Sequence, residues 1–193
     1  MILCLTTHQN FAIMPLVILL YSRTLELVLA ALFIALVFIA TAFLRVPAPD
    51  ITGAGQVHLG TTMVFVIAVV FGPKMAAISS LGMVLFNLTF GLVPWAPINL
   101  ISRPILGLIF GGIAHAGGAA GKNIWLNIVA GIAGALWLIP TMYVGQIIMF
   151  GVPWPVPLAA VPNNAMQIVL ALVIGLPIAA IINANVSKLR KKS

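Results

Sequence analysis

Apolar runs of about twenty residues, separated by short turns rich in proline and glycine, recur along most of this chain. They leave few folds open. As a helix, such a run matches the ~30 Å hydrocarbon thickness of a bilayer. Lipid offers no hydrogen bonds, so only helices and closed barrels can cross it. A barrel would show short segments of alternating polarity, and none occur. Composition agrees, since 63% of the 193 residues are hydrophobic and 6% are charged. That is too little charge to cover a water-soluble domain. The expectation is an all-α membrane protein, a single bundle of six transmembrane helices.

The spans are expected at Leu25–Phe43, from His58 to the Gly72-Pro73-Lys74 stop, and at Met75–Phe90, Ile98–Ala114, Ile124–Phe150 and Leu158–Ile182. Pro140 should kink the fifth, where Gly131 and Gly134 are packing positions. Residues 1–22 hold a shorter apolar run, Phe11–Tyr21, without the basic start or cleavage site of a signal peptide. They read as an appendage to a membrane domain of residues 23–193. The single cysteine, Cys4, lies in that appendage and cannot form an internal disulfide. Between the first two spans, VPAPDITGAGQ (46–56) is long for a connection in a tight bundle and reads as a gate carrying Asp50.

A net charge of +7 could point to nucleic acid, but the basic residues sit at span ends instead of on one face. Six spans put Arg23, Lys74, Lys122, Lys188, Arg190, Lys191 and Lys192 on one side, seven of the nine basic residues. By the positive-inside rule that side, with both termini, is cytoplasmic. Arg45 lies outside and Arg103 falls within a span.

This topology gathers the strong hydrogen-bonding side chains in the outer half. His58 and Thr61 begin the second span there, Asn87 ends the third, and Asn99 and Arg103 begin the fourth. Tyr143 and Gln146 finish the fifth; Asn163, Asn164 and Gln167 begin the sixth. Trp95 anchors the outer turn Pro94-Trp95-Ala96-Pro97. Arg103 lies about 7–8 Å deep, at 1.5 Å per residue, where a charge is costly unless it serves a site. Each residue has a plainer role open to it: snorkelling for Arg103, capping for His58, pairing with proline-freed backbone for the amides. Their convergence favours a binding pocket open to the outside.

A through-pore would need polar lining along its whole length, and a pump would need acidic relays near midplane. The two acids, Glu26 and Asp50, lie at the edges. There is no HExxH, no paired carboxylate, no Cys/His cluster for a metal and no GxxxxGK[ST] phosphate loop, so no catalytic residue is assigned. Ala31 and Ala35 on the first span have the spacing that lets helices approach closely.

The segments HLGTTMVFVIAVVFGPKMAAISSLGMVLFNLTFG and WAPINLISRPILGLIFGG, with ALFIA at Ala31–Ala35, resemble the substrate-binding S components of energy-coupling factor (ECF) vitamin transporters, in the riboflavin-type branch. The resemblance covers about Arg23 to the C-terminus. It implies a six-helix bundle in a prokaryotic plasma membrane, with a vitamin pocket near the outer face and the loop after the first helix as lid. It also implies docking of Ala31 and Ala35 on a transmembrane T component, which works with two cytoplasmic ATPases. ATP would be used by those partners, and no cofactor is implied in this chain. Arginine, histidine and amides without a buried acid suit a small polar aromatic such as hydroxymethylpyrimidine or a pyridoxine-like compound. Pantothenate, whose carboxylate Arg103 could hold, is the alternative ligand. A self-sufficient permease is the alternative function.

Overall fold

The computed structural model describes residues 6–48 and 55–190, with side chains described for residues 23–48 and 55–185. The gate residue Asp50 lies outside the described residues. Almost everything described is helix: α1 (Thr6–Phe43), α2 (Gly60–Phe71), α3 (Pro73–Ser79), α4 (Leu81–Thr89), α5 (Ala96–Ala114), α6 (Ile124–Phe150), α7 (Val161–Leu170) and α8 (Leu176–Arg190). One short antiparallel hairpin pairs β1 (Arg45–Pro47) with β2 (Gln56–His58), Arg45 opposite His58.

Among the described residues, four stretches are long and apolar enough to cross a membrane: Arg23–Phe43, Val93–Ala114, Ile124–Phe150 and Val156–Asn185. The expected second and third spans differ from these. At 12 residues, α2 rises only about 18 Å, less than the hydrocarbon thickness. The third span is broken between α3 and α4 at Ser80. The Ser79 and Ser80 hydroxyls donate to the carbonyls of Ala76 and Ala77, at 2.9 and 2.7 Å. Such back-bonding competes with the helical ladder and bends it. α1 runs unbroken from Thr6. α6 continues across Pro140. The sixth span instead changes pitch, at a π-helical turn over Ala171–Gly175 between α7 and α8.

α5 sits in the middle, packed on α2, α3, α4 and α6. Glycines make that closeness possible. A Cβ on Gly107 would stand 2.7 Å from the backbone carbon of Ala76, and one on Gly111 would stand 2.4 Å from Pro73 Cα. These two glycines, one turn apart on α5, let α3 lie directly against it. On the other side of α5, Phe110 fills the space over Gly134 of α6 and meets Phe65 of α2 edge-on, with centroids 5.1 Å apart. α2 is buried along nearly its whole length, which explains how so short a helix is accommodated: protein, not lipid, surrounds it.

Gly107→Val and Gly111→Val should each destabilise the bundle by about 1–3 kcal/mol through overpacking, read as a lower Tm in detergent. Gly112→Ala, whose Cβ meets nothing within 4 Å, should leave Tm within a degree or two.

Candidate functional site

A tight turn, Val93–Trp95, with Pro97 in the helix's first turn, starts α5. Four residues apart on one face, Asn99 and Arg103 point into the bundle and are 7% and 3% exposed. Arg103 Nε donates to Asn99 Oδ1 at 2.9 Å. Its Nη1 donates to Thr61 Oγ1 on α2 at 2.9 Å and to Gln167 Oε1 on α7 at 3.3 Å. Thr61 Oγ1 donates in turn to Gln167 Oε1 at 2.7 Å. Gln167 Nε2 reaches the backbone carbonyl of Gln56 in β2 at 3.5 Å. One guanidinium thus ties together α5, α2, α7 and, through Gln167, the hairpin.

This charge is held by neutral oxygens. Glu26, the acid that lies among the described residues, is paired with Lys74. Desolvating an arginine costs several kcal/mol, offset only when hydrogen bonds and a counter-charge replace water. The network supplies the bonds, and Nη2 takes no part in it.

Beside Arg103 lies a cavity of about 60 Å³, room for a few waters or a small ring. Of the residues singled out in the sequence, His58, Asn87, Trp95, Asn99, Arg103, Gln146, Asn163, Asn164 and Gln167 line it. Three of these present buried polar atoms with no hydrogen-bond partner among the described residues: His58 Nδ1, Asn87 Nδ2 and Gln146 Oε1. The Gln146 amide is oriented by its Nε2, which donates to the Met142 carbonyl at 3.2 Å. Asn164 is oriented likewise, Nδ2 donating to the Ala160 carbonyl at 3.1 Å. His58 closes the hairpin, just before α2, and is buried.

Two predicted residues sit apart from the lining. Thr61 is fully buried and reaches the site through Arg103 and Gln167. Tyr143 donates its hydroxyl to the Trp154 carbonyl, bracing the far end of α6. Ala31 and Ala35 are exposed on α1. The lining also includes Thr41, Gln56, Met83 and Met142, which sequence reading passed over. Thr41 had a legible signal, a hydroxyl in an apolar span; the methionines had none.

Arg45 holds the hairpin over this cavity. Its guanidinium lies 5.1 Å from the ring centres of both Phe86 and Phe90 on and just after α4. It also donates to Gln56 Oε1 at 3.1 Å. The root of the 46–56 loop is therefore clamped to α4 at the residue, Gln56, that lines the cavity.

Residues 22–184 match the model of the family described as ECF-type riboflavin transporter, S component. The chain belongs to this family. It is a membrane transport component, the substrate-binding subunit of an ECF transporter for a vitamin, and not an enzyme. S components of this family work with a T component and ATPases. Comparison with curated proteins found no match.

In this S component, Arg103→Met should leave the Asn99, Thr61 and Gln167 oxygens without their shared donor. At about 1–3 kcal/mol for an unsatisfied buried group, a Tm drop of several degrees is expected in detergent. Thr61→Val should lower Tm less, because Arg103 keeps Asn99 and Gln167.

Proposed function

We propose that this S component captures a small, single-ring polar vitamin or precursor, with hydroxymethylpyrimidine or a pyridoxine-like compound the best match. The observation that carries this reading is the trio of buried atoms on one small cavity without a partner among the described residues: a donor at Asn87 Nδ2, an acceptor at Gln146 Oε1 and a ring nitrogen at His58 Nδ1. A heteroaromatic ring bearing amino or hydroxyl groups offers both donors and acceptors along its edge. No carboxylate faces the cavity among the described residues, which disfavours a cationic ligand such as thiamine.

A second reading rests on one observation. Arg103 is buried without a carboxylate partner among the described residues, and pantothenate would bring one.

The proposed setting is a prokaryotic plasma membrane crossed six times, both termini cytoplasmic, α2 and the α3–α4 pair completing the count. Ala31 and Ala35 would dock on the T component, and two partner ATPases would use the ATP. Asp50 and its loop would close the outer opening. Exposed small residues on α1 and the hairpin clamped above the cavity support these assignments.

Native mass spectrometry of the chain purified alone should show one bound small molecule per chain. Titration calorimetry with hydroxymethylpyrimidine, pyridoxine, pantothenate and riboflavin should then rank them. Preference for pantothenate would install the second reading, and preference for riboflavin would overturn the single-ring assignment. Asn87→Leu and Gln146→Leu should each weaken binding about tenfold or more. Cells carrying this chain without T and ATPase partners should bind the vitamin but not accumulate it; accumulation would instead identify a self-sufficient permease.

A further inference from the structure

A second cavity lies at the opposite end of the bundle. Asn127, in its wall, and Gln146, in the wall of the first, are separated by about 28 Å along α6, at 1.5 Å per residue. Its volume is about 380 Å³. It opens between the turn before α6 and the flank of α8, with Ile124, Leu176 and Ala180 as an apolar wall and Lys122, Asn127 and Asn183 as a polar one.

Asn127 makes this more than a crevice. It is 6% exposed, and its Nδ2 donates to the Gly121 carbonyl at 2.9 Å. Asn183 Nδ2 from α8 converges on the same carbonyl at 3.3 Å. With Nδ2 tied to a carbonyl, the amide is held against turning over. Its Oδ1 is buried and has no hydrogen-bond partner among the described residues. It calls for an N–H or O–H donor. Lys122 contributes a cation to the same cavity, and the one ion pair among the described residues is Lys74–Glu26, elsewhere. Lys122 calls for an anion.

We propose that this cavity binds the phosphoethanolamine headgroup of a membrane lipid. The requirement is unusual, an anion and an N–H donor on one cavity beside an apolar wall, at a helix end. Phosphatidylethanolamine meets each part: its phosphodiester lies against Lys122, its ammonium donates to Asn127 Oδ1, and its glycerol and upper acyl carbons lie along Leu176 and Ala180. A choline headgroup has the same charges and no N–H, so it cannot satisfy Oδ1. A phosphatidylglycerol headgroup satisfies Lys122 more strongly through its net charge, and its hydroxyls are weaker donors than an ammonium. Anionic attraction alone would favour phosphatidylglycerol; the buried acceptor shifts the preference to ethanolamine.

The discriminating experiment varies the lipid and leaves the protein unaltered. The full chain in detergent is mixed with phosphatidylethanolamine, its N-monomethyl and N,N-dimethyl forms, phosphatidylcholine and phosphatidylglycerol, all with the same acyl chains. Retention of each adduct is read by native mass spectrometry. Phosphatidylethanolamine should be retained about tenfold over phosphatidylcholine, with the sharpest loss at the last methylation, where the final N–H disappears. Asn127→Leu should abolish that preference, and Lys122→Gln should weaken phosphatidylethanolamine and phosphatidylcholine equally. Equal retention of phosphatidylethanolamine and phosphatidylcholine would overturn the proposal. So would phosphatidylglycerol retained above all others and lost only on Lys122→Gln, which would leave a simple anion site. The vitamin cavity is untouched by these lipids and variants, so ligand affinity should be the same throughout.

Discussion

The structure depends on a positive charge buried in the bundle, with no carboxylate against it among the described residues. Arg103 is tolerable inside the bundle because Asn99, Thr61 and Gln167 aim three oxygens at it. Those oxygens come from three helices that are distant in sequence. The charge therefore fixes how α2, α5 and α7 stand relative to one another, since displacing any of them would remove an acceptor from a desolvated guanidinium. Unpairing a buried charge costs more than most single packing defects. The apolar contacts of α5 with α3 and α6 permit many small slides; this network permits few. A polar network satisfied in this way rigidifies the walls of a binding site, which lowers the ordering cost of binding.

Much of this was legible in the sequence, and the reasons for success and failure differ by residue. Run length and lack of charge sufficed for the membrane, because in lipid the backbone has almost no alternatives. Arg103 and Asn99 stood out by their rarity in an apolar helix. Gln146, Asn163, Asn164 and Gln167 stood out because the charge topology put them at one depth. The break at Ser80 is not legible in the run Met75–Phe90. A serine in an apolar run is read as a polar contact, whereas its hydroxyl here is spent on the helix's own carbonyls. Tyr143 was grouped with the site on depth alone, and depth does not specify which way a side chain leaves its helix. Met83 and Met142 line the cavity with no sequence signal, because a methionine in a span is indistinguishable from packing. The closeness of α3 to α5, at Gly107 and Gly111, is likewise a relation between two helices that neither helix displays by itself.

The clamp on the hairpin connects the site to its loop. Gln56 is shared: its side chain accepts from Arg45, its carbonyl accepts from Gln167, and it lines the cavity. Arg45 rests on Phe86 and Phe90, next to Asn87 with its unpartnered amide nitrogen. A ligand hydrogen-bonded to Asn87 would thus touch the helix that anchors the hairpin, and the Gln167 that holds Gln56 is bonded to Arg103. Both routes are short and made of buried or stacked groups, so loop position and cavity contents would be felt by each other.

The two ends of the bundle also divide the chemistry. At the Arg103 end the atoms unpartnered among the described residues are mixed, donor and acceptor together on one cavity, which suits a neutral solute taken from water. At the other end an acceptor and a lysine face a cavity walled on one side by apolar residues of α6 and α8, which suits a zwitterion that never leaves the membrane. Between them the interior is apolar, with Leu106, Phe65 and Phe110 fully buried. No chain of polar groups joins the two cavities among the described residues. A polar solute bound at one end has no hydrogen-bonding route to the other, and each step across that apolar interior would forfeit the bonds that held it.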